Sequence, residues 1–104
     1  MTLGELLAEE ALVLAGVEAR RSSDGEITWS RGGRPFAVLA ADGSSAEFSL
    51  DAAVGAAAVR TPDVAVSVRG PGWVTFAPAV LDDHGADRAA AWFASAWRRL
   101  EPRN

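Results

Sequence analysis

Residues 69–76 read Arg-Gly-Pro-Gly-Trp-Val-Thr-Phe, and this stretch decides how the second half of the chain folds. Pro71 fixes one backbone angle, whereas Gly70 and Gly72 allow the positive φ angles that other residues avoid. The four residues after this turn are typical strand formers. The stretch therefore predicts a hairpin turn leading into a strand, with Trp73 either anchoring the core or presented to a partner.

Short runs of strand-forming residues recur on both sides of this turn. In the run from residue 46 to 50, Ala46, Phe48 and Leu50 alternate with Glu47 and Ser49, which is typical of a strand with one buried and one solvated face. The runs and the turn residues between them predict five strands: Glu26–Ser30, Pro35–Ala40, Ala46–Leu50, Val64–Val68 and Trp73–Ala77.

Three segments have helical signals. The first runs from Leu3 to Ala15, where Thr2 and Glu5 form a capping-box pattern. A short alanine-rich helix follows the capping residue Asp51 and reaches about residue 59, and a last helix starts at 82 or 83 and reaches about residue 100. Residues 20–25, Arg-Arg-Ser-Ser-Asp-Gly, read as a polar loop.

These elements give the order α-β-β-β-α-β-β-α. Because the strands are joined by hairpin-length connections, the sheet is predicted to be antiparallel, with the helices covering one face. We therefore predict one α+β domain over residues 1–104, in two layers, with a five-stranded antiparallel sheet and three helices. A chain of this length is large enough for one hydrophobic core.

Composition excludes several classes of protein. The 104 residues are 49% hydrophobic and 23% charged, which is ordinary for a globular domain. The chain has no cysteine, so disulfides, thiolate catalysis and cysteine-based zinc sites are excluded. No apolar run approaches the ~20 residues that cross a bilayer, and no leader pattern is readable, so a cytoplasmic protein without membrane contact is expected. The net charge of −4 disfavours generic polyanion binding.

Five short motifs occur along the chain in a characteristic order and spacing. They are Leu14-Ala15-Gly16-Val17-Glu18, Arg34-Pro35-Phe36-Ala37-Val38-Leu39, Ala46–Leu50 with Asp51, Gly72-Trp73-Val74 and Ala96-Trp97-Arg98. Together they resemble the MmcQ/YjbR family of small bacterial proteins. The resemblance implies a secretion-chaperone-like α+β fold and DNA binding through a double-wing arrangement, and it brings no catalytic residues. A second likeness, to small proteins of the luciferase-domain type, rests on the Gly-Trp strand alone.

The titratable residues do not form a pattern typical of an enzyme. His84 is the single histidine and lies among Asp82, Asp83 and Asp87, which could be metal ligands or the cap and first-turn acids of the last helix. We expect the capping role. The glycine-rich turns lack phosphate-loop patterns, and no nucleophile-elbow pattern occurs. The sequence therefore predicts a non-enzymatic protein with no catalytic residue, no metal and no cofactor.

Arginines flank both predicted hairpin turns. Arg31 and Arg34 flank the first turn, Arg69 opens the second, and Trp73 follows it. If both tips project as wings, these residues are candidate contacts to DNA, with weak binding because the molecule is acidic. The alternatives are that the arginines are simply solvated, or that the domain is chaperone-like or a scaffold, holding a protein segment or a second copy of itself.

Overall fold

The protein is described by a computed structural model that covers residues 1–101. Its elements are α1 (Leu3–Val13), β1 (Val17–Arg21), β2 (Ile27–Arg31), β3 (Arg34–Leu39), β4 (Ala46–Ser49), α2 (Ala52–Ala58), β5 (Val64–Val66), β6 (Trp73–Phe76) and α3 (Asp83–Arg99). All strands belong to one antiparallel sheet in the order β1-β2-β3-β4-β6-β5. The predicted α+β class and the three helices are confirmed, but the sheet has six strands and not five.

The additional strand is β1, so the order is α-β-β-β-β-α-β-β-α and the prediction of a polar loop starting at residue 20 was wrong. Val17 is the one large apolar residue of β1, and the other four residues are exposed. The strand lies at the edge of the sheet and pairs only with β2. Edge strands often carry charged side chains and need no apolar face, so β1 lacks the alternation that marks a buried strand.

The register places residues of all six strands in rows across the sheet. One face, which the helices cover, is called here the helix face, and the other is called the outer face. A central row on the helix face consists of Ala19, Trp29, Ala37, Phe48, Val74 and Val66. The neighbouring row on the outer face consists of Arg20, Thr28, Val38, Glu47, Thr75 and Ala65.

A bulge in β3 brings one more aromatic ring into the core. Trp29 pairs with Ala37 and Ser30 pairs with Pro35, so Phe36 is the extra residue of the pair. Strict alternation would put Phe36 on the same face as Val38, but an extra residue changes the direction of its side chain. Phe36 is fully buried and its ring lies 5.1 Å from that of Phe93 in α3.

The core is an aromatic cluster between α3 and the sheet. Phe93 is fully buried and packs edge-on against Trp29, with ring centroids 5.4 Å apart and an interplanar angle of 81°. Trp92 packs edge-on against Phe76 at 5.4 Å and also contacts Phe48. Such edge-to-face pairs add about 0.5–1.5 kcal/mol each beyond the burial of their surface. The first two turns of α1 complete this layer with three buried leucines, Leu3, Leu6 and Leu7.

The connection between β5 and β6 depends on Gly72. Its φ angle is +81°, and its carbonyl accepts a hydrogen bond of 2.9 Å from the Leu50 N–H. A Cβ atom at this position would come closer than 3.0 Å to the Leu50 carbonyl oxygen, a separation that real Cβ atoms do not show. Glycine is therefore required at position 72 both by the positive φ angle and by the close approach of Leu50, the residue after β4.

We expect Gly72→Ala to be much more destabilising than Gly33→Ala. Gly33 has nearly the same φ angle, +79°, but no atom lies within 4 Å of its Cβ position. The two variants therefore share the cost of a left-handed residue, about 1–2 kcal/mol, and Gly72→Ala adds the clash with Leu50. Urea denaturation should give a further loss of about 1–3 kcal/mol for Gly72→Ala. Equal midpoints for the two variants would contradict this account of the turn.

Candidate functional site

The four residues predicted as contacts lie in two separate places. Arg31 and Arg34 flank the two-residue turn between β2 and β3. Arg69 lies in the connection from β5 to β6, and Trp73 is the first residue of β6. Arg31 and Arg34 therefore lie apart from Arg69 and Trp73, and the two places are described separately.

Arg31 is held against α3. Its guanidinium carbon lies 3.9 Å from the centre of the Trp97 ring, and its Nη1 donates a hydrogen bond of 3.0 Å to the Trp97 carbonyl oxygen. Trp97 is fixed in turn, because its Nε1 donates to the Ala15 carbonyl oxygen at 2.8 Å. A cation over a tryptophan ring is favourable by about 0.5–1 kcal/mol at a partly exposed site. Arg31 is therefore both half-buried and oriented.

Arg99, which the sequence analysis did not single out, lies beside Arg31 and Arg34. Its Nε and Nη2 donate to the carbonyl and hydroxyl oxygens of the buried Ser49, at 3.3 and 2.6 Å. These three arginines line an open hollow of about 680 Å³. We call it the arginine hollow, and its other lining residues are Gly32, Asp51, Leu100 and Glu101. In the sequence, Arg99 could be recognised only as a basic residue in the last turn of the last helix. That position is already explained by the favourable interaction of a cation with the helix dipole.

Arg69 lies on the outer face and is neutralised there. Its Nε is 3.0 Å from Glu47 and its Nη2 is 3.3 Å from Glu26, so one guanidinium bridges two carboxylates. Glu47 also accepts a hydrogen bond from the Ser67 hydroxyl, and the Ser67 oxygen accepts from the Arg69 N–H at 3.1 Å. Arg69 and Val38 line the same small hollow. The arrangement ties the β5–β6 connection to the sheet.

Trp73 is half-buried, which answers the question that the sequence left open. The Arg69 guanidinium lies 5.7 Å from its ring centre. On its other side, Trp73 lines an apolar groove of about 260 Å³ between α2 and the end of the sheet. We call this the α2 groove, and the residues that line it with Trp73 are Ala52, Gly55, Ala56, Val59, Val66, Gly72 and Val74. None of these side chains is charged, so the groove is suited to an apolar neighbour.

The two edges of the sheet differ in charge. The β1 edge carries Glu18, Arg20 and Arg21, all exposed. The β5 edge is Val64-Ala65-Val66 and carries no charge, although Val66 is 75% exposed. Charged side chains on an edge strand oppose pairing with another chain, and a neutral edge does not. The β5 edge is therefore the one suited to pairing.

Carboxylates collect at the end of the sheet opposite to the arginine hollow. Asp42, just after β3, accepts hydrogen bonds from the hydroxyl and the backbone N–H of Ser44, and these lower its pKa. The pKa of Glu5 is lowered mainly by the backbone N–H of Thr2, in the capping box that the sequence predicted. Groups with lowered pKa values stay ionised at neutral and mildly acidic pH. Asp42 and Glu5 therefore remain ionised at neutral pH, beside Arg21 in the same hollow.

Asp82 and Asp83 have the predicted cap and first-turn roles at the start of α3, whereas Asp87 lies beyond the first turn. Asp82 is the N-cap residue, and its Oδ1 accepts a hydrogen bond of 2.7 Å from the Gly85 N–H. Asp83 supplies an acidic group in the first turn, where it suits the helix dipole. His84 is exposed. Among residues 1–101, no three histidine, aspartate or glutamate side chains are grouped so that they could hold a metal ion.

We expect Arg69→Met to lower stability slightly and Arg34→Met to leave it unchanged. Arg69 bridges two carboxylates at about one-third exposure, and such pairs contribute about 0.2–1 kcal/mol. The loss should shrink in 1 M salt, where the screening length falls to about 3 Å. Denaturation at two salt concentrations measures both effects. If Arg34→Met lowers the free energy of unfolding as much as Arg69→Met does, the loss at Arg69 does not come from its ion pairs with Glu26 and Glu47.

Comparison of the chain with models of known protein families, with curated proteins and with solved structures finds no match. In the part of the chain that the structure describes, no helix has the length and apolar character needed to span a bilayer. The arginine hollow, the α2 groove and the β5 edge are therefore interpreted from their own geometry.

Proposed function

We propose that this chain is a non-enzymatic protein-interaction domain that binds a second copy of itself by pairing β5 with β5. The observation that carries the proposal is the difference between the two sheet edges. The β1 edge is charged along most of its length, whereas the β5 edge is neutral and its Val66 side chain is exposed. An exposed neutral edge is a template for another strand.

The main chain of β5 is oriented for such pairing. Ser67 N–H donates to the Trp73 carbonyl at 3.0 Å, and Ala77 N–H donates to the Asp63 carbonyl at 2.9 Å. Odd-numbered residues of this stretch therefore bond to β6, because bonding direction alternates along an antiparallel pair. It follows that Val64 and Val66 direct their N–H and C=O groups away from β6. Neither residue has a backbone hydrogen bond outside the sheet to another residue in 1–101.

The β5 sequence is self-complementary. Val-Ala-Val reads the same in both directions, so a two-fold axis through Ala65 sets Val64 opposite Val66 of the second copy. In that register Val64 and Val66 each form a hydrogen-bonded pair, about four main-chain hydrogen bonds in all. No like charges meet across the new pair, because the strand has none.

The side chains support the same register. Val64 and Val66 pair with Phe76 and Val74, so they lie on the helix face. Valines of the second copy would continue this face beside the α2 groove, where five of the seven residues of α2 are alanine. Burial of apolar surface is what drives such association. A three-residue pair falls below the standard interface size, so we expect a weak dimer, with Kd on the order of 100 µM.

We expect Val66→Lys to weaken self-association by at least about tenfold and Val80→Lys to leave it unchanged. The two valines are 75% and 78% exposed, so the substitutions are matched in exposure and charge, but Val80 lies outside β5. Each lysine would place its ammonium group opposite Val64 of the second copy, in an apolar row where burying a charge is unfavourable. Sedimentation equilibrium from about 10 µM to 1 mM covers the expected Kd.

Val66→Pro gives a second, uncharged test of the same pairing. Proline lacks the N–H that would bond to the second copy, and Val66 does not use this group to bond β6. The variant should therefore fold and remain monomeric. A wild-type protein that stays monomeric at 1 mM, or a dimer that survives both substitutions at Val66, would contradict the proposed function.

Duplex DNA is a second candidate, motivated by the resemblance to the MmcQ/YjbR family. The feature that favours it is the number of arginines at one end of the molecule. Arg31 and Arg34 lie at the β2–β3 turn, and Arg98 and Arg99 lie in the last turn of α3. Arginines clustered on one surface are the usual electrostatic footprint of a nucleic-acid contact. In this arrangement the contact involves the β2–β3 turn and α3 rather than two wings.

If DNA binds at this end, Arg34→Gln with Arg98→Gln should lower the salt dependence of binding. Each lost phosphate contact reduces the slope of log K against log salt by about 0.9, so the double variant should lose up to about two units. Arg20→Gln with Arg60→Gln removes the same charge elsewhere and should leave the slope unchanged. Titration of labelled duplex at low ionic strength measures this. No binding, or equal slopes for both double variants, would rule out the DNA candidate.

A further inference from the structure

We infer that the arginine hollow binds a compact oxyanion, namely the phosphate or carboxylate group of a small ligand. Three arginines from different elements line it, namely Arg31 of β2, Arg34 of β3 and Arg99 of α3. Planar guanidinium forks match the oxygens of phosphate and carboxylate groups. The hollow involves none of the residues that pair in the proposed dimer, so the inference is independent of that proposal.

The charges in the hollow are not neutralised by ion pairs with residues 1–101. Arg31 is held by a backbone carbonyl and an aromatic ring, and Arg99 is held by a carbonyl and a hydroxyl. These acceptors are neutral. Arg69 is the contrasting case, since it bridges two carboxylates. An arginine that is oriented but not charge-paired still has its charge available for a ligand.

The hollow is also pre-organised. Arg31 and Arg99 are held by hydrogen bonds in the absence of a ligand. Binding would therefore order only Arg34, whose side chain is exposed and makes no ion pair with residues 1–101. Ordering fewer side chains lowers the entropic cost of binding, which is about 0.5–1.5 kcal/mol per flexible side chain. Trp97 also helps to hold Arg31 in place. The Arg31 guanidinium packs on the Trp97 ring, and the Trp97 indole N–H donates a hydrogen bond to the Ala15 carbonyl. The site therefore has two fixed groups and one that can close on a ligand.

The acidic residues of the hollow restrict the ligand class. Asp51 and Glu101 line it together with the arginines, so three positive residues and two negative ones share the hollow. Asp51 uses one carboxylate oxygen to cap α2, through a 3.0 Å bond from Val54 N–H. These carboxylates oppose an extended polyanion and can accept hydrogen bonds from hydroxyl or ammonium groups. The arrangement therefore suits a small molecule that carries one oxyanion and a hydrogen-bond donor.

The test is an NMR titration of the ¹⁵N-labelled protein with sodium phosphate at constant ionic strength, with sodium chloride as the balancing salt. We expect saturable shifts in the amides of Gly32 and Leu100 and in the Trp97 indole. Arg34→Gln should weaken binding by about tenfold, since it removes a charge-assisted contact. Arg20→Gln is the matched control, because it removes the same charge from an exposed residue that does not line the hollow. It should change the affinity by less than about twofold.

Sodium acetate, titrated in the same way, distinguishes the two sources of the oxyanion. Tighter binding of phosphate identifies a phosphate ligand, and equal or tighter binding of acetate identifies a carboxylate ligand. Shifts that rise linearly without saturation overturn the inference, and so do shifts that Arg34→Gln and Arg20→Gln reduce equally. Spectra of both variants without added anion check that each remains folded.

Discussion

The rest of the structure depends on the packing of Phe93 against Trp29 and Phe36. Phe93 is fully buried and meets both rings edge-on, at 5.4 and 5.1 Å. The rings come from β2 and β3 in the first half of the chain, whereas Phe93 lies in the last helix. Phe36 reaches it only because the bulge in β3 adds a residue to the strand. A local irregularity of the sheet is thus what allows the last helix to hold the first strands.

The position of α3 also sets the geometry of the charged end. Arg31 lies on Trp97 and Arg99 bonds to Ser49, so the two fixed guanidiniums of the arginine hollow are placed by the last turn of the same helix. Because an α-helix has a regular geometry, the packing of Phe93 one turn earlier also fixes the position of this last turn. Groups on regular elements that are packed on a core are held more closely than groups on loops. The core and the hollow are therefore coupled through one helix.

The sequence predicted the parts of the fold that bury apolar surface, and it missed the part that does not. β4 was predicted from the alternation of apolar and polar residues along it. The N-cap residues Thr2, Asp51 and Asp82 were predicted because their side chains can accept hydrogen bonds at the start of a helix. β1 was missed because its stability comes from pairing with β2 alone. The arginines were recognised individually, but Arg99 joins Arg31 through tertiary packing, which no spacing in the sequence reveals. Likewise, one partner of Arg69, Glu47, lies in β4, and the other, Glu26, lies just before β2.

The two edges of the sheet together determine what an assembly through β5 would look like. Pairing about a two-fold axis uses both β5 edges, so the free edges of the resulting continuous sheet would both be β1. Each β1 edge carries a glutamate and two arginines, which oppose the addition of another strand. β5 has only three residues, so few main-chain groups are exposed at this edge. This would limit both the affinity of the pair and nonspecific aggregation. A neutral edge on one side and a charged edge on the other therefore favour assembly that stops at two copies rather than continuing as a fibre.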